Sequence, residues 1–176
     1  MKKEISYTAP DKFEEEIPGQ PEETEKSLGL EKEKILEKLR NFFDSQFFAA
    51  LATQNGNAPY LSLVAFASNQ ELTHLLFSTT KNTRKYSNLL VNPEVSLLID
   101  NRKNSIKDFK DAMAVTALGR IEHLEDREQA VMEKVYLAKH PYLVDFLRSP
   151  TTAFLKIRIE KYIIVTRFQH VVELSV

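Results

Sequence analysis

Phe47-Phe48-Ala49-Ala50-Leu51-Ala52-Thr53-Gln54-Asn55-Gly56-Asn57-Ala58-Pro59-Tyr60-Leu61-Ser62-Leu63-Val64-Ala65-Phe66-Ala67 is the stretch whose reading decides the fold. A compact apolar run over 47–53 reaches a polar turn and returns as a second run over 58–67. The Asn55-Gly56 pair supplies the positive φ angles of a tight hairpin turn, so the two runs read as paired strands. A third run, about 71–78, follows the short polar turn Ser68-Asn69-Gln70. The connections between 53 and 77 are too short for helical crossovers, which makes the sheet antiparallel.

Working outward, Val95 to Asp100 is an apolar strand, and Ala112 to Glu122 a long one with Gly119 as a bulge or close-approach site. Ala153 to Ile159 and Tyr162 to Leu174 alternate apolar and polar residues and read as two closing strands. Helical periodicity appears from Leu30 to Ser45, where Ile35, Leu36, Leu39, Phe42 and Phe43 share a face, and again over Glu125 to Lys139. Pro93 ends a helix near 83–91, Pro141 interrupts the later one, and Tyr142 to Leu147 forms a short helix beyond it. Residues 101–111 are polar and read as a loop. About seven strands without a repeating strand-helix unit close most economically into a barrel, which removes exposed edges.

The chain has 176 residues and 43% apolar content, enough for one domain with a real core. Residues 1–30 carry Pro10, Pro18, Pro21 and the run Glu14-Glu15-Glu16, and read as an acidic arm ahead of a domain spanning 31–176. The arm holds four Lys against eight Asp and Glu, a balance of −4 in a chain whose total is −1, so the remainder carries +3. That modest basic excess suits a small anion better than nucleic acid. No apolar run approaches the roughly 20 residues that cross a bilayer, and the N-terminus lacks the apolar core of a secretory signal, so the expected location is cytoplasmic, with no membrane partner. Cysteine is absent, which excludes disulfides, thiolate nucleophiles and Cys-type metal sites. The four histidines, His74, His123, His140 and His170, show no metal-binding spacing, and no metal is expected.

Function is written most densely in Phe77-Ser78-Thr79-Thr80-Lys81-Asn82-Thr83-Arg84-Lys85-Tyr86. An apolar strand passes through a hydroxyl-rich turn into a helix that opens with two cations. The hydroxyls of Ser78, Thr79, Thr80 and Thr83 can donate, the first-turn amides of a helix are free, Arg84 can grip two phosphate oxygens and Lys85 adds a charge. Cations at the positive end of a helix dipole make sense where an anion joins them.

These elements, in this order, resemble the FMN-binding split-barrel proteins of the pyridoxamine 5'-phosphate oxidase-like superfamily over roughly residues 32–175. The resemblance rests on Phe47 to Thr53, Pro59 to Phe66, the turn Ser78 to Lys85, Asn88-Leu89 with Asn92-Pro93-Glu94-Val95-Ser96-Leu97-Leu98-Ile99-Asp100, and Ala117-Leu118-Gly119-Arg120-Ile121-Glu122. It implies a mainly β fold with flanking helices: an antiparallel split β-barrel, homodimeric, with FMN in a groove between subunits. It also implies that Arg84 and Lys85 bind the phosphate with Thr83 beside them. Ser78 and Thr79 would lie near the phosphate and ribityl chain, and the strand Leu61, Ser62, Leu63 and Val64 against the isoalloxazine ring. The sequence departs from pyridoxamine phosphate oxidases proper at Ala114, where they carry a glutamine, and at the C-terminus, where Arg167 and His170 are the candidates for their Arg/His segment.

The expected function is an FMN-dependent oxidoreductase with an unidentified small-molecule substrate. Catalytic side chains are unassigned, because hydride transfer at a flavin needs mainly orientation and stacking. A nicotinamide donor would dock transiently, since no Gly-x-Gly-x-x-Gly fingerprint is present. The alternatives are a non-catalytic flavin-binding electron carrier or sensor, a deazaflavin protein, and a haem-binding or haem-degrading split barrel using His123 or His170. Phe42, Phe43, Phe47 and Phe48 are expected in the core and at a subunit interface.

Overall fold

A computed structural model of the chain describes residues 25–56, 58–167 and 170–176, with the backbone alone for 25–30. Most of the acidic arm therefore lies outside the described residues. Helix α1, Glu25–Ser45, starts ahead of Leu30, where the periodicity begins. Strands β1, Phe48–Asn55, and β2, Ala58–Ser68, form the expected hairpin, with Asn55 opposite Ala58 and Gly56 at φ 79. There follow β3, His74–Thr80, α2, Arg84–Val91, β4, Glu94–Asp100, and β5, Met113–Glu122; the loop expected over 101–111 is corrected by a short helix α3, Asp108–Asp111, whose Asp108 carboxylate accepts from the Lys103 and Ser105 amides. The chain ends with α4, Asp126–Lys139, a 3-10 turn at Pro141–Leu143, α5, Val144–Arg148, β6, Thr152–Thr166, and β7, His170–Ser175. No helix among the described residues is long and apolar enough to cross a membrane.

The sheet runs β3-β2-β1-β4-β5-β6-β7 with every pair antiparallel, and β6 also pairs with β3, which closes six strands into a barrel and leaves β7 outside it. Closure is shared along β6: residues 152–158 pair with β3 and residues 161–166 with β7, while β5 runs along both halves. The sequence expectation of two strands broken near Glu160 is corrected here. Inward residues are Ile157 and Ile159 before that point and Tyr162 and Ile164 after it, and the change of phase is a β-bulge, not a turn. Opposite the bulge stands Gly119, where a Cβ would run into the Arg158 carbonyl oxygen.

The inward-facing residues of alternate positions make the core. Leu51, Phe66, Leu75, Phe77, Leu97, Ile99, Val115, Ala117 and Ile157 are fully buried. Helix α1 plugs one end of the barrel with Leu39 and Phe43; the Phe43 ring meets Phe66 edge-on at 5.7 Å and lies 5.6 Å from Tyr162. A second, smaller cluster sits outside the barrel wall, where α4 lays Tyr136 over Leu76, Ala67, Leu147 and Phe154.

The barrel is split. Strands β2 and β3 pair only over Phe66–Phe77 to Ser68–Leu75, and beyond that they part. Among the described residues, 58–65 of β2 are then paired by β1 alone, and 78–80 of β3 by β6 alone. One edge of β2 is left with its backbone groups open, and α2 begins beside this opening.

Candidate functional site

The turn after β3 is held from several sides. Thr83 sits in extended geometry and caps α2: its Oγ1 accepts from the Tyr86 amide at 3.4 Å and donates to the Thr80 carbonyl at 2.9 Å, with Thr79 Oγ1 3.2 Å away. Lys81 braces the same turn against the start of β6, its amide to the Thr151 carbonyl at 2.8 Å and its Nζ to the Pro150 carbonyl at 2.9 Å. The rest of α2 is locked to the hairpin by a buried chain: Asn88 Nδ2 donates to Thr53 Oγ1 at 3.0 Å, and Thr53 Oγ1 to the Tyr60 carbonyl at 3.4 Å. Asn92 and Pro93 end the helix, as the sequence predicts.

This bracing leaves a rigid N-terminus with nothing negative on it. The first turn of α2 contains no acidic residue, and Arg84 and Lys85 have no carboxylate partner among the described residues. The amides of Arg84 and Lys85, at the head of the helix, likewise have no acceptor there. Arg84 is exposed and its guanidinium lies 4.8 Å from the centre of the Tyr60 ring, a cation–π contact that orients the fork toward the open β2 edge. The arrangement has the chemistry of a phosphate seat: helix amides, a planar guanidinium and an ammonium, on a helix anchored to the hairpin by buried Asn88 and Thr53.

The other sequence candidates divide by face. Leu61 and Leu63 point outward and are each 68% exposed, whereas Val64 packs in the core and Ser62 turns inward, its buried Oγ without a hydrogen-bond partner among the described residues. A ring lying along β2 would meet Ser62 and Val64 through their backbone and the two leucines through their side chains. Thr79 is buried beside Thr83. Ser78 faces α4 instead of the turn: its Oγ is 2.9 Å from the Tyr136 hydroxyl, whose pKa burial pushes up.

Sequence reading missed Tyr60, Asn88 and Thr152. Thr152 stands across the ladder from Thr80, and its buried Oγ1 has no hydrogen-bond partner among the described residues. All three come to the site from strands or turns of the helix that local motifs do not connect. The only available signal for Asn88 was a polar residue on the apolar side of α2 next to Leu89. The histidines keep to themselves: buried His140 donates its Nε2 hydrogen to the Phe66 carbonyl at 2.8 Å, and His74 lies 3.9 Å from Glu122.

A closed, split antiparallel barrel with a cationic helix start at its opening defines the class of split-barrel proteins. The family model described as "Pyridoxamine 5'-phosphate oxidase" matches residues 35–166, and the chain belongs to that family. No curated protein matches the sequence. Among solved structures, it is similar to a heme binding protein from Mycobacterium smegmatis (TM-score 0.71, 17% identity), covering 80% of this chain and 57% of that one. The chain thus spans little more than half the length of that relative. It is also similar to a FAD-binding protein from Mesorhizobium loti (TM-score 0.57, 20% identity, covering 72% and 88% of the two chains). A third similar structure is a putative pyridoxamine 5'-phosphate oxidase from Listeria innocua (TM-score 0.59, 18% identity, covering 74% and 98%).

Proposed function

We propose that the protein is a cytoplasmic flavoprotein that binds FMN at the opening of the barrel and acts as a homodimeric oxidoreductase on a small molecule. The observation that carries this reading is the Arg84–Lys85 start of α2, which has no carboxylate partner among the described residues, beside the edge of β2 that no described strand pairs. Arg84 would hold two phosphate oxygens, Lys85 and the helix amides the remainder, and Tyr60 would keep the guanidinium in place. The open backbone groups over 61–64 suit the polar edge of an isoalloxazine, and Leu61 and Leu63 its apolar face. When bound, FMN supplies reversible hydride acceptance; the protein's part is to orient the substrate and exclude water.

Dimerisation is supported by the outward face of the sheet. Phe48, Leu61, Leu63 and Leu98 are between 38% and 68% exposed on the neighbouring strands β1, β2 and β4, an apolar surface of the kind that a partner covers. A nicotinamide docking transiently is the natural donor.

The deciding experiment is the absorption spectrum of the purified protein, followed by mass identification of what denaturation releases. Released FMN is the expected result; a colourless protein that also refuses added FMN would overturn the reading. Similarity to a heme binding protein makes haem the second reading. His140 and His74 are engaged within the fold, so an iron ligand would have to be exposed His123 or His170, and a haem titration without a Soret shift would dispose of it.

A further inference from the structure

The last turn of α4 reaches back to α1, and the side chain that makes the contact is an amine. Lys139 is half-buried; its Nζ donates to the Phe43 carbonyl at 2.7 Å and stands over the Phe66 ring, 4.0 Å from the ring centre. Phe43 and Phe66 are both fully buried, so the two groups that hold the nitrogen are themselves fixed. Lys156, the other lysine withdrawn from water, gives its charge to Glu128 at 2.9 Å, with Glu122 3.9 Å away. Lys139 makes no ion pair among the described residues.

Lys139 lines a pocket of about 540 Å³ between α1, α4 and the turn from β2 to β3. Arg40 and Asp44 of α1 and Ser68 and Gln70 of the turn give it polar walls, Ala67 and Val135 apolar ones. Burial brings the Lys139 pKa down from 10.5 to about 8, against the opposing pull of Asp44. At pH 7 roughly 10% of the amine is then unprotonated, some 300-fold more than for an ordinary lysine, a difference that follows from the two pKa values. In that state the nitrogen carries two hydrogens and one lone pair. One hydrogen serves the Phe43 carbonyl, the second can point at the Phe66 face, and the lone pair is the direction left for an electrophile.

We propose that Lys139 is an acyl-acceptor site, modified by small thioesters that enter the pocket between α1 and α4. The nitrogen attacks the thioester carbonyl carbon, the C–N bond forms and the C–S bond breaks, and the extra proton on nitrogen passes through water to the departing thiolate, leaving an amide and a free thiol. The Arg40 guanidinium and the Gln70 side-chain amide are the donors that the pocket offers to the oxyanion formed on the way. With Lys139 unprotonated, Arg40 and Asp44 cancel, and a neutral pocket favours an uncharged acyl donor over an acyl phosphate. The amide product keeps one N–H for the Phe43 carbonyl, so the tie between α4 and α1 survives the modification. None of these residues belongs to the Arg84 turn, and the site stands independently of the flavin reading.

The test exposes the full chain to S-acetyl-N-acetylcysteamine at pH 7 and follows each lysine by peptide mass spectrometry, with acetyl phosphate as comparator. Lys139 should be acetylated about tenfold faster than exposed Lys103 and Lys107, the gain in free amine being partly offset by the lower nucleophilicity of a weaker base. Its rate should level off above about pH 8 while theirs keep rising; the charged or titratable groups around it are Arg40 and Asp44, which line the same pocket, and His140, which follows it in the chain. Lys139→Arg keeps a donor for the Phe43 carbonyl and a cation over the Phe66 ring but no nucleophile, and should remove the fast phase while Lys103 reacts as before. A Lys139 slower than Lys103, as a lysine that only ties two helices would be, overturns the site. So does a rate that keeps rising past pH 8, a fast phase that persists in Lys139→Arg, or a preference for acetyl phosphate measured against the same exposed lysines.

Discussion

Arg84 is the residue on which the flavin reading turns. Arg84→Ala removes a charge-assisted two-point contact and should weaken FMN binding by about 2 kcal/mol, or roughly thirtyfold, measured by fluorescence quenching on titration. Unchanged affinity in the folded variant would detach the phosphate from this turn. Gly119 tests the fold at the same scale. Its missing Cβ makes room for the Arg158 carbonyl at the β6 bulge, so Gly119→Ala forces two backbones apart and should lower stability by about 1–3 kcal/mol, read from urea midpoints. The residues of the turn were legible in the sequence because cap, hydroxyls and cations are neighbours in the chain. Tyr60 and Thr152 were not, because their nearness to Arg84 and Thr80 exists only once β2 and β6 have been folded against β3.

Among the elements, α4 shows how one helix is fixed to the barrel wall by polar groups as well as by its apolar cluster. Glu125 and Glu128 form a capping box at its start, and Lys156 of β6, nearly buried, donates to Glu128 at 2.9 Å. At its end Lys139 donates to the Phe43 carbonyl in the last turn of α1 at 2.7 Å, and burial brings the Lys139 pKa down to about 8. Next to it, His140 is buried with its pKa lowered, chiefly by desolvation. The folded protein keeps His140 neutral while the unfolded chain takes up a proton near its ordinary value of 6.5, so stability is full above that pH and falls as pH drops below it. His74, also lowered by desolvation and by Lys156, acts in the same direction. The urea midpoint should therefore fall between about pH 7 and pH 5, and His140→Gln, which keeps a donor for the Phe66 carbonyl, should show a shallower fall. An identical pH slope in the variant would free His140 of this role. The helices other than α3, which lies in a stretch that reads as a loop, and the first five strands were readable from periodicity and turn residues. The continuous β6 was not, because a bulge and a strand break both reverse the phase of an alternating pattern, and only the partner strand tells them apart.

For the molecule as a whole, the apolar outer face of β1, β2 and β4 predicts assembly. Leu63 is 68% exposed and contributes nothing to the barrel interior, so Leu63→Glu should leave the monomer folded and weaken dimerisation by about a hundredfold, followed by sedimentation velocity across a concentration series. A variant that still sediments as the parent protein does would move the interface elsewhere. The closure of the barrel has a consequence for how the chain reaches this state. The β1–β2 hairpin joins Asn55 to Ala58 and can form as soon as it is synthesised, whereas β3 waits for β6, with Phe77 meeting Leu155 only after α2, β4, β5 and α4 have been made. Contacts so distant along the chain form slowly, because the intervening loop must be ordered first. A nascent chain stopped before Thr152 therefore presents β3 with an unpaired edge, and the interval between synthesis of β3 and β6 is when this protein most needs shielding from its own copies.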